Sequence, residues 1–156
     1  MGRTRQTRTG DLAPVVIPEG EMTRTVEMRW GLEPGEQQRG LRFLVRDDSP
    51  DIERYGRCLI PATALPLTDR QGDKWIVTLR EAGAIFCFAG IWQHAKDTWP
   101  DAYAAVTVPA YPDLKFIKRR HIAILPDGSW SEWLAGVAAS SILKPLPRRS
   151  LMVVPE

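Results

Sequence analysis

Short runs of alternating apolar and polar residues dominate the chain. Between residues 26 and 32 every second residue is apolar, and the same period recurs at Trp75, Val77 and Leu79. A period of two predicts strands that are buried on one face only. Residues 85–92 are apolar on both faces, which predicts a central strand that is covered on both sides. A further strand is predicted over residues 103–108.

Three short helices are predicted at the margins of these strands. Residues 49–51 (Ser-Pro-Asp) form a start signal, with a serine cap and a proline in the first turn, for a helix that ends near Gly56. Residues 129–132 (Ser-Trp-Ser-Glu) fit a capping box and predict a helix that stops at Gly136. A third helix is predicted within residues 137–143.

The elements combine into one expected architecture. Thirteen prolines and twelve glycines are spread along the chain, which keeps each element short. A length of 156 residues suits a single domain, residues 1–156, around one core. The sequence therefore predicts an α+β domain that is dominated by strands and has a few short peripheral helices.

The net charge says little about binding partners, and only local clusters of charge are informative. A net charge of +2 is too small to identify a nucleic-acid binder. Positive charge is concentrated in three clusters: Arg3, Arg5 and Arg8; Lys115, Lys118, Arg119 and Arg120; Arg148 and Arg149. A solvated surface explains each cluster taken singly. No apolar run suits a membrane span or a signal peptide, so we expect a cytoplasmic protein, associated with the nucleoid if it binds DNA.

The two cysteines do not indicate thiol chemistry. Cys58 and Cys87 both lie in apolar strand segments, where cysteine behaves as a small buried hydrophobe. Neither has the basic surroundings that lower a thiol pKa, and neither lies near His94 or His121 in a metal-binding spacing. Phosphate loops, zinc-protease motifs and nucleophile elbows are absent from the sequence. We expect no metal and no cofactor.

A set of short segments resembles one known family when the segments are taken in order. They are residues 1–3 (MGR), 28–34 (MRWGLEP), 43–49 (FLVRDDS), 57–62 (RCLIPA), 88–92 (FAGIW), 106–111 (VTVPAY), 117–125 (IKRRHIAIL) and 130–134 (WSEWL). Together they resemble the SRAP family, the SOS-response-associated peptidases that act at abasic sites in single-stranded DNA. The resemblance implies curved, mainly antiparallel, barrel-like sheets.

The resemblance also implies a catalytic set that this chain has largely lost. In the family, an N-terminal cysteine attacks the abasic aldehyde, an asparagine orients it, and a glutamate and a histidine handle protons. The nucleophile position falls on Met1, or on Gly2 if Met1 is removed. The asparagine, glutamate and histidine positions fall on Leu44, Leu67 and Lys118. Gly2 and Lys118 therefore stand as the remaining catalytic candidates.

Three arginines stand at arginine positions of the family. The resemblance implies that Arg3, Arg46 and Arg120 contact DNA phosphates or brace the site, for which a bidentate guanidinium is suited. The alternative is that Arg46 and Arg120 pair with nearby acids such as Asp47, Asp48 or Glu53.

Two tryptophans could take part in DNA binding. Trp30 and Trp92 could stack on bases, although tryptophans in alternating strands are more often part of a core.

These residues support three functional hypotheses. The first is a monomeric protein that binds single-stranded or abasic DNA without full covalent crosslinking. The second is residual chemistry, in which the Gly2 α-amine, or a Lys118 whose pKa is depressed by burial, forms a reversible imine. The third is a non-enzymatic interaction module, which would place an apolar patch where the DNA groove should lie.

Overall fold

The computed structural model describes residues 7–34, 40, 42–81, 84–96 and 99–156. Strands account for most of the regular structure in these residues. The strands are β1 (Leu12–Glu19), β2 (Met22–Trp30), β3 (Leu44–Arg46), β4 (Gly56–Ala62), β5 (Leu65–Thr68), β6 (Lys74–Leu79), β7 (Phe86–Gln93), β8 (Ala102–Pro109), β9 (Arg120–Ile122), β10 (Ile124–Leu125) and β11 (Leu151–Pro155). The helices are α1 (Asp51–Arg54), α2 (Trp130–Leu134) and α3 (Ala139–Ile142).

Five strands close into a ring, which we call the strand ring. β1 pairs antiparallel with β2 along its whole length, β4 pairs with β1, β7 with β4, and β8 with β7. The ring closes because β8 also pairs with β2, in parallel, at Arg29 with Ala102 and Trp30 with Tyr103. β3 and β9 extend β8, and β10 extends β7.

Alternate residues of the ring strands fill the interior of the ring. On β1, Val15 and Ile17 are buried, whereas Pro14 and Pro18 are exposed. This alternation follows from the pleat of a strand, which sends successive side chains to opposite faces. The inner cluster consists of Ala13, Val15, Ile17, Met28, Cys58 and Tyr103, with Val26, Trp30, Ile60 and Trp92 packed against it.

The outer face of β4 and β7 is covered by α2. Trp133 is fully buried there, and its indole Nε1 donates hydrogen bonds to the carbonyl oxygens of Cys58, at 3.0 Å, and Gly90, at 3.3 Å. The guanidinium of Arg57 lies 4.2 Å from the centre of the Trp133 ring and donates to the carbonyl oxygen of Val137. Through these two contacts, the buried Arg57 connects β4 to α2 and to the segment that follows it.

A second, three-stranded sheet stands beside the ring. β6 lies at its centre and pairs antiparallel with β5 on one side and β11 on the other. Leu65, Val77 and Leu151 are buried on the face that joins the main core. This sheet therefore forms a wall next to the end of β4, from which β5 continues.

The α+β, strand-dominated class that the sequence predicts is confirmed, with two differences in detail. β8 pairs in parallel with both β2 and β3, so the sheet is not wholly antiparallel. The helices at the expected places are short, and the Ser129 side chain makes no capping hydrogen bond, so the expected capping box is not formed. The chain turns after α2 at Gly136, which has a positive φ of 85°.

We predict that Gly90→Ala destabilises the strand ring. A Cβ at Gly90 would lie 2.8 Å from Cys58 Sγ and 3.2 Å from the backbone oxygen of Ala104, so the packed interior must shift. Overpacking of this kind costs about 1–3 kcal/mol. The change is measured as the free energy of unfolding in urea. Gly128→Ala is the matched control because a Cβ there meets nothing within 4 Å; equal losses in the two variants would contradict the prediction.

Candidate functional site

An apolar pocket of about 610 Å³ opens between the strand ring and the small sheet. Its floor is formed by side chains of β2, β4, β7, β8 and β9, and its wall by the chain that joins β4 to β5 and by β6. The lining residues are Thr7, Trp30, Ile60, Pro61, Ala62, Thr63, Ala64, Leu65, Pro66, Ile76, Ile85, Phe88, Tyr103, Ala105, Ile122 and Glu156. We call this the mouth pocket.

Two aromatic rings lie parallel in the floor of the mouth pocket. The rings of Trp30 and Tyr103 are inclined by only 8°, with their centres 6.2 Å apart. Trp30 is fixed in this orientation because its Nε1 donates a 2.9 Å hydrogen bond to the carbonyl oxygen of Phe43. Burial raises the pKa of Tyr103, and Cys58 and Asp11 add to the rise, so its phenol is neutral and able to donate. The floor is thus flat, aromatic and uncharged.

Few polar side chains line the mouth pocket. Glu156 supplies the one carboxylate among the described lining residues, and its backbone N–H donates to the carbonyl oxygen of Lys74 at 2.9 Å. Thr7 is the first residue of the chain that the structure describes, and it lines the pocket. Gly2 and Arg3, the catalytic and DNA-binding candidates of the N-terminus, lie outside the described residues.

Arg46 and Arg120 are engaged by acids. Arg46 Nε lies 3.0 Å from Asp48 Oδ1, and the hydrogen bond to Asp48 raises the pKa of Arg46. Arg120 Nη2 lies 2.7 Å from Asp47 Oδ1 and also donates to the Thr107 backbone oxygen at 2.8 Å. The first pair is mostly exposed and so contributes little to stability. The second is half-buried and better satisfied, which leaves Arg120 the less available of the two.

Neither cysteine provides a nucleophile. Burial raises the pKa of Cys58, with a smaller contribution from Cys87. Burial likewise raises the pKa of Cys87 to about 11. Both thiols are therefore protonated at neutral pH. Across the described residues, no three His, Cys, Asp or Glu side chains gather as a metal site, and no described helix is long and apolar enough to cross a membrane.

Comparison with known proteins decides the family. The model of the family described as SOS response associated peptidase (SRAP) matches residues 50–155, more than half of the chain. The chain belongs to the SRAP family. Membership makes it an SRAP-like protein associated with the SOS response to DNA damage. No curated protein matches the chain.

A solved structure shares the SRAP chain's fold. The crystal structure of a phage-related protein from Bordetella bronchiseptica is similar to it with a TM-score of 0.75 and 18% sequence identity. The match covers 96% of this chain and 80% of that one. At this identity the likeness concerns the fold alone.

The three described residues at SRAP catalytic positions are not brought together around the mouth pocket. Leu44 is 54% exposed on β3, next to Ala105, and does not line the pocket. Leu67 belongs to β5, and its side chain is buried in the main core. Lys118 is exposed and lies in a separate recess. The hypothesis of imine chemistry at Lys118 requires a buried lysine, and Lys118 is exposed.

Sequence reasoning missed two groups of this SRAP pocket. Tyr103 was predicted only as part of a strand, because its contact with Trp30 depends on a long-range parallel pairing that no local pattern reveals. Glu156 was not singled out, since an acid at the end of a strand has no local signature. Trp30, which sequence reasoning proposed for base stacking while favouring a core position, is half-buried and lines the pocket.

His121 lies in the SRAP core beside the site and has a structural role. The backbone N–H of Tyr111 donates to His121 Nε2 at 3.1 Å, and His121 Nδ1 lies 2.8 Å from the carbonyl oxygen of Ile122. These partners require Nε2 to accept and Nδ1 to donate, so the imidazole is neutral. Burial lowers the pKa of His121, and the neighbouring charge of Arg120 lowers it further.

We predict that His121 makes stability fall as the pH is lowered. Its folded-state pKa lies below the value of about 6.5 in the unfolded chain, so the unfolded state binds more protons in the window between the two values. Stability is fully present above the unfolded pKa and is lost as the pH falls toward the folded one. Urea unfolding between about pH 5 and about pH 8 measures this slope. His121→Gln should flatten it, and an unchanged slope in that variant would contradict the assignment.

Proposed function

We propose that this SRAP chain binds single-stranded DNA, intact or abasic, through the mouth pocket and without a covalent bond. The observation that carries the proposal is the half-buried ring of Trp30 in an apolar pocket, which lies parallel to the fully buried ring of Tyr103 behind it. Nucleic-acid bases stack on accessible aromatic rings of this kind in proteins that bind single strands without sequence preference. Family membership supports DNA as the partner.

The dimensions of the mouth pocket suit a nucleoside. Its volume of about 610 Å³ lies within the range of small-molecule sites. The apolar wall from Pro61 to Pro66 faces the aromatic floor, so a base could be held between two uncharged surfaces. Glu156 at the rim disfavours close approach of a phosphate, which suits a pocket that takes the base or bare sugar and leaves the backbone outside.

The residues present support binding rather than the family's ring closure. Closing the ring needs a thiol, and the thiols of Cys58 and Cys87 are buried and protonated. Leu44 and Leu67 can neither accept nor donate a proton. We therefore propose no crosslinking step and no peptidase step for this chain.

We predict that Trp30→Ala weakens binding to an oligothymidine strand. Stacking on one aromatic side chain contributes about 1–3 kcal/mol per base, so affinity should fall by about five- to 150-fold. Fluorescence anisotropy at low salt measures the dissociation constant. Trp30→Phe, which keeps a ring, should retain most of the affinity.

Trp92→Ala is the matched control for the Trp30 variant. Trp92 packs against the same inner cluster but does not line the mouth pocket. Its loss should lower stability while leaving affinity close to that of the unaltered protein. If both alanine variants bind DNA equally well, the pocket is not the DNA site.

A second candidate function is a protein-interaction module on a lapsed SRAP scaffold. The ion pairs of Arg120 with Asp47 and of Arg46 with Asp48 favour it, because they occupy the guanidinium groups that would contact phosphate. In this case the apolar mouth pocket takes an apolar side chain of another protein.

The two candidates differ in the expected effect of removing the acids. If phosphate competes with Asp47 and Asp48 for the arginines, the double variant Asp47→Ala/Asp48→Ala should bind single-stranded DNA about two- to tenfold more tightly, as expected for freed surface charges. Anisotropy at low salt measures the change. Glu21→Ala/Glu27→Ala, which removes two exposed acids from the β1–β2 turn and from β2, controls for the equal change in net charge. An unchanged affinity would favour the interaction module.

Residual imine chemistry has a direct test. Borohydride reduction of the protein with an abasic oligonucleotide, followed by mass spectrometry, would trap an adduct at the Gly2 α-amine or at Lys118. Noncovalent binding predicts that no adduct forms. A trapped adduct would replace the binding proposal by a catalytic one, and the modified residue would identify the amine.

A further inference from the structure

We propose that a second, basic recess on this protein binds phosphate groups. The recess has a volume of about 320 Å³ and lies between the β5–β6 turn and the segment that leads into β9. Four cations line it: Arg70, Lys115, Lys118 and Arg119. We call it the basic recess.

The wall that carries three of these cations is fixed in place by its backbone. Leu114 and Ile117 are buried in the main core on either side of the exposed Lys115. The backbone N–H groups of Ile117 and Lys118 both donate to the Leu114 carbonyl oxygen, at 3.0 Å and 3.2 Å. The carbonyl oxygen of Arg119 accepts from Ala110 at 2.8 Å. The cations therefore project from an ordered turn.

The opposite wall is fixed by Asp69. One carboxylate oxygen of Asp69 accepts from the backbone N–H groups of Gln71 and Asp73, both at 2.9 Å, and the other accepts from Trp75 Nε1 at 2.9 Å. The carboxylate is thus satisfied within its own turn. Phe116 joins the two walls, since its ring meets the Trp75 ring edge to face at 5.2 Å between centres.

The charge of the basic recess is not neutralised within the described chain. None of its four cations lies within 4.0 Å of an acid there, in contrast to Arg46 and Arg120. Four cations on a fixed frame repel one another, and an anion with several oxygens relieves that repulsion. Phosphate has the charge and the acceptor oxygens to bridge them, which identifies the class of ligand.

The fold favours the backbone of a DNA strand as the source of the phosphate groups that bind in the recess. In naming DNA, this inference rests on the proposed function. Pro66 and Ile76 of the β5–β6 hairpin line the mouth pocket, whereas Arg70 at the hairpin turn lines the basic recess. Arg70 follows Pro66 by four positions, which span at most about 13 Å at ~3.3 Å per residue. Phe116, 62% exposed at the edge of the recess, adds an apolar face for a base. A strand seated in the pocket can therefore continue into the recess.

The test compares Lys118→Ala/Arg119→Ala with a control of equal charge, Arg24→Ala/Arg54→Ala, which removes two exposed cations from β2 and α1. All four positions are on the surface, so both variants should keep the thermal midpoint of the unaltered protein. One arm measures binding of inorganic tripolyphosphate by calorimetry. The other measures oligothymidine affinity by anisotropy across a salt series.

We expect the recess variant to lose tripolyphosphate binding and to show a shallower salt dependence with DNA. Each lost phosphate contact lowers the slope of log affinity against log salt by about 0.7, so two contacts lower it by about 1.4. If the recess variant loses tripolyphosphate binding but keeps the salt dependence of DNA binding, the recess is a phosphate site whose ligand is free phosphate and not DNA. A recess variant that matches the control in both arms would overturn the proposal.

Failure of the DNA-binding proposal can be separated from failure of this one. Trp30→Ala removes the aromatic floor of the mouth pocket and leaves the basic recess intact. If the unaltered protein binds tripolyphosphate but not oligothymidine, the recess stands and the proposed function does not. If Trp30→Ala weakens DNA binding while the recess variant behaves as its control does, the proposed function stands and the recess does not.

Discussion

The two-residue parallel pairing of β2 with β8 is the contact on which the rest of the structure depends. A ring of five strands closes only if its last strand meets its first, and here Arg29–Ala102 and Trp30–Tyr103 make that contact. The closure encloses the inner cluster. It also brings the Trp30 and Tyr103 rings side by side, so the same backbone contact that completes the fold builds the floor of the mouth pocket.

The sequence predicted individual strands from their local pattern, but it did not predict the pairings and the pocket that distant segments form together. Alternation in residues 26–32 and the apolar run of residues 85–92 located β2 and β7, since pleat and burial leave a direct trace in the pattern. β1 was not predicted. It contains Pro14 and Pro18, which are unfavourable inside most strands, and the side chains of both prolines are exposed. The parallel pairings of β8 have no local trace at all. For the same reason the pocket's existence could not be predicted, although Trp30 itself was singled out.

Three cations that are consecutive in the sequence have different surroundings in the fold. Residues 118–120 read as three consecutive cations. In the fold, Arg120 begins β9 and reaches back to Asp47, whereas Lys118 and Arg119 remain on the preceding turn and line the basic recess. A strand boundary thus separates a bracing arginine from cations that are available to a ligand. The family resemblance marked Arg120 and the Lys118 position as site residues, and the fold gives them different surroundings.

The two buried thiols can report opening motions of the molecule. Cys58 lies inside the strand ring, where its sulfur would be touched by any Cβ at Gly90, while Cys87 belongs to the larger core outside the ring. A thiol reagent can reach Cys58 only when the ring parts, and Cys87 only when the outer layer does. The unmodified chain thus carries two native reporters of opening, one for each of its cores, and their labelling rates can be followed without any introduced probe.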